Sequence, residues 1–416
     1  MTKTKLLFLT SIVLWLGLFS CEKIDLNDNL YSPSFITSII GDSEVQLEWA
    51  SDDGFLLTET MVAIQREKPD KFEIHLSEDL KSFTKVVELD NSVTQYTISN
   101  LVNGQSYYAH IISRKKGFAP KQSQTIMFVP NRKTQLEKLI ESGEQQSVLQ
   151  GSYSPETNKL AFVDVFHKWT EGGKEYGQIA IMISKLDGSQ SVLFGKNFSE
   201  PQWSSSGRYL VFRTERSVPI TSRIAFYDAL TQDTTIVTDG TTECLYPVFS
   251  PDESKILYRS RSNTDANRSS IIMYDVATKT SKTIISTQNT SLTNIWRFSW
   301  IDNLTFLFSA NELDADGTNI YKATTSNGAF EKIFGSQWAD FCPVISPDKN
   351  NIAFISNRSG LHQIWVYNIA RKSFRQITGF DKTDYISEVW SNIQWLDDKN
   401  IMFSINYDKL VKQKID

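Results

Sequence analysis

The chain has 416 residues, more than one ordinary domain holds, so at least two cores are expected. Its 43 basic and 48 acidic residues give a net charge of −5 with no basic cluster, which argues against a nucleic-acid binder and against polybasic membrane attachment. Beyond Cys21 only Cys244 and Cys342 remain, and the four histidines (His75, His110, His167, His362) are scattered, so neither a disulfide framework nor zinc-ligand spacing is present and no cofactor is expected.

Residues 1–20 open with Lys3 and Lys5, and an apolar run from Leu6 to Leu18 follows. That run is too short for a membrane span and reads as a cleaved signal peptide. Leu18-Phe19-Ser20-Cys21 resembles a bacterial lipobox. The resemblance implies cleavage before Cys21, acylation of its thiol and attachment to a membrane by lipid, with residues 21–31 as a polar tether. An outer-membrane lipoprotein facing the periplasm or the cell surface is expected.

From 32 to 130 short strands succeed one another: Val45 to Ala50 (VQLEWA), Phe72 to Leu76 (FEIHL), and Tyr96 to Ser113 with a turn at Asn103-Gly104. This pattern argues for a β-sandwich. Trp49 on an early strand, and Leu101, Gly104 and Tyr107 in that order and spacing, resemble a fibronectin type III domain. The resemblance implies a spacing or binding role, with Tyr107 as a structural tyrosine corner. Residues 131–144 change period: Leu136, Leu139 and Ile140 share one side of a helix, so a linker helix is predicted.

The remainder, 145–416, repeats. Pro201 to Thr214 (PQWSSSGRYLVFRT), Pro247 to Ser260 (PVFSPDESKILYRS) and Pro343 to Ser356 (PVISPDKNNIAFIS) are the clearest copies, with weaker ones from Gly151, Phe298 and Ile393. A large residue recurs at Tyr153, Trp203, Phe249, Trp300, Ile345 and Trp395, every 45 to 51 residues. Each copy holds a strand, a tight Ser/Pro/Asp/Asn turn, an alternating strand and further strands such as Gln363 to Ile369, which is the content of a propeller blade. These motifs resemble the TolB-like propeller repeat and, more distantly, the WD repeat. The fold class expected is therefore all-β, a fibronectin type III-like sandwich followed by a six-bladed TolB-like propeller. The chain ends before the sixth blade has a fourth strand, and Gln145 to Gly151, beside Leu410 to Ile415, is the predicted closing strand. Cys244 and Cys342 fall in the third and fifth blades and are expected to be free.

No GxSxG elbow and no HExxH occurs, and Asn311 to Asn319 lacks the Glu that closes an EF-hand loop, so neither an enzyme nor a metal site is expected. The Asp residues at 252, 302, 348 and 397 are expected to cap turns. Long connections at Val165 to Gly177, Thr214 to Ser222 and Ser260 to Ser270 elaborate one propeller face. Three positions before each large residue stand Gln150, Glu200, Tyr246, Arg297, Cys342 and Asn392, a varied set that radial symmetry places in a ring at the channel. Glu200, Tyr246 and Arg297, joined by His167 and Trp169 from the first-blade connection, are the predicted binding residues. The expected function is a lipid-anchored interaction or scaffold protein that binds a protein or a cell-envelope polymer through this face. The alternative is a propeller that binds or degrades extracellular glycan.

Overall fold

The computed structural model describes residues 30–415 apart from 51–54, 58–62, 132–135, 142–146, 172–173, 215–221, 263–267, 314, 382 and 388–390. The lipidation candidate Cys21 lies outside the described residues. Two antiparallel sheets, one of three strands and one of five, form the body of the N-terminal unit, with a two-stranded sheet of Phe55–Leu57 and Ala63–Gln65 beside them. Alternation places Val45, Leu47 and Trp49 from one sheet against Phe72, Ile74, Tyr107, Ala109 and Ile111 from the other in a single core. Tyr107 occupies the corner predicted for it: its hydroxyl accepts the Val102 N–H at 3.0 Å, and Gly104 takes a φ of +82° in the turn between them.

His110 is buried on this unit and lies directly across the sheet from His75, with the two rings stacked at 5.3 Å and Phe83 4.4 Å from the His110 ring. Burial, and then the charge of His75, push the His110 pKa down to about 4. The unfolded chain therefore binds a proton here at a higher pH than the folded chain does. The stability this neutral ring provides is complete above about pH 6.5 and drains away as pH falls towards 4. Urea melts at pH 7.5 and pH 4.5 are expected to differ by about 2–3 kcal/mol from this residue alone. His110→Phe should remove that part of the difference; an unchanged pH dependence would refute the assignment.

Six four-stranded antiparallel sheets follow. The first runs Val148–Ser154, Lys159–Glu171, Lys174–Ser184, Val192–Lys196, and the next four repeat that order to Ser373–Gln376. Four of the six tight turns are capped as predicted: the carboxylates of Asp252, Asp302, Asp348 and Asp397 accept amides two residues on at 3.1, 2.8, 3.0 and 2.7 Å. The sixth sheet is made from both ends of the propeller segment: Gln394–Asp397, Asn400–Ile405 and Lys409–Lys414, then Glu137–Glu141 on the outside of Lys409–Lys414.

This corrects two expectations. Residues 131–144 hold a strand, not a helix, and that strand closes the ring in place of Gln145 to Gly151, whose Val148 to Gly151 part belongs to the innermost strand of the first sheet. The cause is a bulge. The register of Glu137–Glu141 shifts between Lys138 and Ile140, so Leu139 and Ile140 both turn towards the apolar layer. Together with Leu136 they leave an i, i+3, i+4 pattern that mimics a helix.

The seam between first and sixth sheets is bonded on both sides. Gln394 accepts the Tyr153 N–H at 2.7 Å and donates to the Tyr153 carbonyl at 2.6 Å, and Asn392 donates to the Gly151 carbonyl at 3.0 Å. Cys244 and Cys342 form no disulfide and are buried, in the third and fifth sheets.

The N-terminal unit is docked on the fifth sheet. Met127 N–H donates to the Arg358 carbonyl at 2.6 Å and Ser38 N–H to the Ser359 carbonyl at 3.0 Å. Trp338 Nε1 donates to the Thr125 carbonyl at 3.2 Å, and Met127 and Val129 share one apolar cluster with Trp338, Phe354 and Trp365. Gly360, at φ +97°, lies so close that a Cβ would sit 1.9 Å from the Ile36 carbonyl oxygen.

Candidate functional site

The inner strands of the first, second, third and fifth sheets share one irregularity. Two residues on each are unpaired, and the first of them takes a left-handed conformation: Gln150, Glu200, Tyr246 and Cys342, with φ between 50° and 59°. The second is Gly151, Pro201, Pro247 or Pro343, residues that need no ladder N–H or carry none. The bulge turns the ring residue towards the neighbouring blade. Gln150 Oε1 accepts the Glu200 N–H at 2.9 Å, and Glu200 Oε2 accepts the Tyr246 N–H at 2.5 Å. The Arg297 guanidinium then lies 4.6 Å from the Tyr246 ring centroid. In the fourth sheet the unpaired pair falls one position earlier, at Trp296 and Arg297.

Glu200, Tyr246 and Arg297 are therefore brought together, as the repeat spacing predicts. They are not released from structural work. Gln150, Glu200, Tyr246, Cys342 and Asn392 are buried, and the Gln150 and Glu200 side chains stitch blade to blade by accepting the backbone amide of the next ring residue. Alanine at Gln150 or Glu200 removes an inter-blade bond, so these ring positions carry structural load as well.

Against the ring lies a cavity of about 180 Å³ in the central channel. Side chains from all six sheets line it, among them Ser152, Gln202, Arg297, Ser299, Cys342 and Gln394. Beside it is a charged layer. Arg213 reaches Glu200 at 3.8 Å and Glu243 at 3.6 Å, and Arg261 pairs with Glu243. Arg259 is buried, donates to Asn294 Oδ1 at 2.6 Å and lies 5.5 Å from the Trp296 ring. Burial pulls its guanidinium below the usual arginine range and raises the Tyr246 hydroxyl above its own. Three guanidiniums, Arg213, Arg259 and Arg261, thus gather around the carboxylates of Glu200 and Glu243.

Arg213 and Arg259 are not among the predicted site residues. Their signal was in the repeat: both copies end in Arg-Thr or Arg-Ser, an arginine at a strand position that other copies fill with Val163, Ala310 or Ile355.

The predicted first-blade loop is a β-hairpin. Its strands, Lys159–Glu171 and Lys174–Ser184, stay paired out to Glu171 and Lys174, where most strands of the other sheets have three to nine residues. His167 and Trp169 lie on the first of these strands; their side chains fall outside the described residues. Beyond Val165 about six residues per strand project, roughly 20 Å at strand rise. Among the described residues no group of three or more His, Cys, Asp or Glu is placed to hold a metal ion, and no helix is long and apolar enough to cross a membrane.

Residues 220–415 match the family model of the TolB beta propeller domain. No curated protein matches the chain. Among solved structures it is similar to TolB from Acinetobacter baumannii, at 14% identity and a TM-score of 0.44 over 75% of this chain and 77% of that one. It is also similar to an auxiliary nutrient binding protein from Bacteroides thetaiotaomicron, at 11% identity and a TM-score of 0.46 over 94% and 99%. An oligogalacturonate lyase in complex with manganese aligns at 12% identity and a TM-score of 0.43 over 68% and 98%.

Proposed function

We propose that this TolB-like propeller is the binding element of a lipid-anchored cell-envelope protein, and that it takes a protein or envelope polymer on the face from which the first-blade hairpin projects. The hairpin carries the proposal. It extends the sheet well past the length that blade packing uses, and its sequence carries Phe166, Trp169 and Tyr176 among charged residues. The lipobox-like segment ending at Cys21 supports the anchor, and the fibronectin type III-like unit supports a mounting role. The reading assigns no catalytic step to the chain.

Replacing residues 166–178 with Asn-Gly would join the paired residues Val165 and Ile179 through a two-residue turn. This variant is expected to lose capture of the partner from envelope extracts by about tenfold or more while melting near the wild-type temperature. Undiminished capture would overturn the proposal. Release of shortened glycan products by the wild type would move it to the glycan-degrading alternative.

A further inference from the structure

Two tyrosines set apart one corner of the same face. Tyr385 and Tyr407 are 44% and 37% exposed, the only aromatic side chains so exposed among the described residues. Tyr407 lies in the turn between Asn400–Ile405 and Lys409–Lys414, the sixth-blade counterpart of the hairpin connection. Its carbonyl accepts the N–H of Val148, where the first blade begins, at 2.9 Å. The two rings meet edge to face, with centroids 5.0 Å apart and planes at 82°, so one forms the floor and the other the wall of a right-angled notch.

The notch is built rather than accidental. Asn406 accepts the Tyr385 N–H at 2.9 Å through Oδ1, donates its own N–H to the Tyr385 carbonyl at 3.0 Å, and donates Nδ2 to Asp384 at 2.7 Å. Asn406 and Tyr407 are both left-handed, at φ 55° and 60°. Asparagine tolerates that region, whereas a tyrosine there is strained where glycine would be free. Tyr407 holds that strain with more than a third of its surface open, which is the pattern of a residue kept for contact. Burial, then the charges of Tyr407 and Asp408, hold the Tyr385 hydroxyl above its ordinary range, so it stays a proton donor at neutral pH.

We infer that this notch binds a neutral pyranose ring of an envelope glycan, an inference that rests on this face being the binding face. A pyranose offers a patch of C–H groups that stacks on an aromatic ring. Its rim of hydroxyls can donate to the carboxylate of Asp384, which lies beside the notch on Asn406, and that carboxylate disfavours an anionic polymer. A protein partner would need about 800 Å² of surface with an apolar centre. The other large apolar side chain exposed on a connection of this type, among the described residues, is Leu313, on the fourth blade.

Native electrophoresis in gels containing laminarin, dextran or galactomannan, with polygalacturonate as the anionic arm, tests the inference. At least one neutral polysaccharide should retard the wild type. Tyr385→Ala and Tyr407→Ala should each weaken retardation by about tenfold, and Tyr407→Phe should keep most of it. Tyr407→Gly should abolish retardation with a Tm equal to or above wild type, an outcome that a merely structural tyrosine would not give. Retardation kept by the hairpin-shortened variant after it has lost its partner supports the notch as a separate sugar contact. Retardation by polygalacturonate alone, by no neutral polysaccharide, or equally in the double alanine variant overturns it. Loss of protein capture in that double variant without any sugar binding assigns the notch to a protein contact instead.

Discussion

Arg358→Met is expected to destabilise the folded protein by about 3–5 kcal/mol, the largest single-residue effect in the molecule. Arg358 is 2% exposed and donates at 2.7 Å to Asp340, which is fully buried. The guanidinium lies among the rings of Phe374, Phe354, Trp365 and Trp338, at 4.2 to 5.6 Å. Burial already raises the Asp340 pKa against the pull of Arg358, so removing the cation leaves a carboxylate with no charge partner in the fifth blade. Asp340→Asn combined with Arg358→Met removes both charges and should recover most of the loss. Urea denaturation of the two variants checks this. Equal destabilisation of single and double would show that shape, not charge pairing, sets the requirement. The single variant should also become sensitive to protease between residues 131 and 136, because the Arg358 carbonyl is where Met127 docks.

The second large effect concerns ring closure. A chain beginning at residue 131 keeps the closing strand and is expected to fold, though it bares the Trp338, Phe354 and Trp365 cluster that Met127 and Val129 cover. A chain beginning at residue 142 lacks Glu137–Glu141. It should lose cooperative unfolding or associate through the freed edge of Lys409–Lys414, because an unpaired edge strand invites pairing with another chain. Size-exclusion chromatography and thermal melts of the two truncations decide the matter. Identical monomeric melts would exclude a closing role for the strand.

The propeller was legible because its signal is local and repeated: alternation sets each strand, and a tight Ser/Pro/Asp/Asn turn sets each reversal. What escaped depends on how segments meet. Leu136, Leu139 and Ile140 look helical only because a bulge at Leu139 spoils the period of two. Ile126 to Val129 is a continuous apolar run, and it is continuous because Ile126 and Phe128 enter the sandwich core while Met127 and Val129 enter the propeller. Such a run is the mark of a strand covered on both sides. In the site, repeat spacing brought Glu200, Tyr246 and Arg297 together. Their bonds to the next blade follow from left-handed backbone at the bulge, which spacing does not encode. Tyr385 and Tyr407 belong to separate connections, joined only through Asn406.

The docking of the N-terminal unit also decides how the molecule carries mechanical load. A pull on the N-terminal end, opposed by a partner held on the propeller, would reach the ring through the Met127–Arg358 and Ser38–Ser359 backbone bonds on the fifth blade. The covalent route instead runs through residues 131–136 into Glu137–Glu141, the outermost strand of the sixth blade, held by its pairing with Lys409–Lys414. While the docked surface holds, tension bypasses the strand that keeps the ring shut. Under such a pull the N-terminal unit would act as strain relief for the closure.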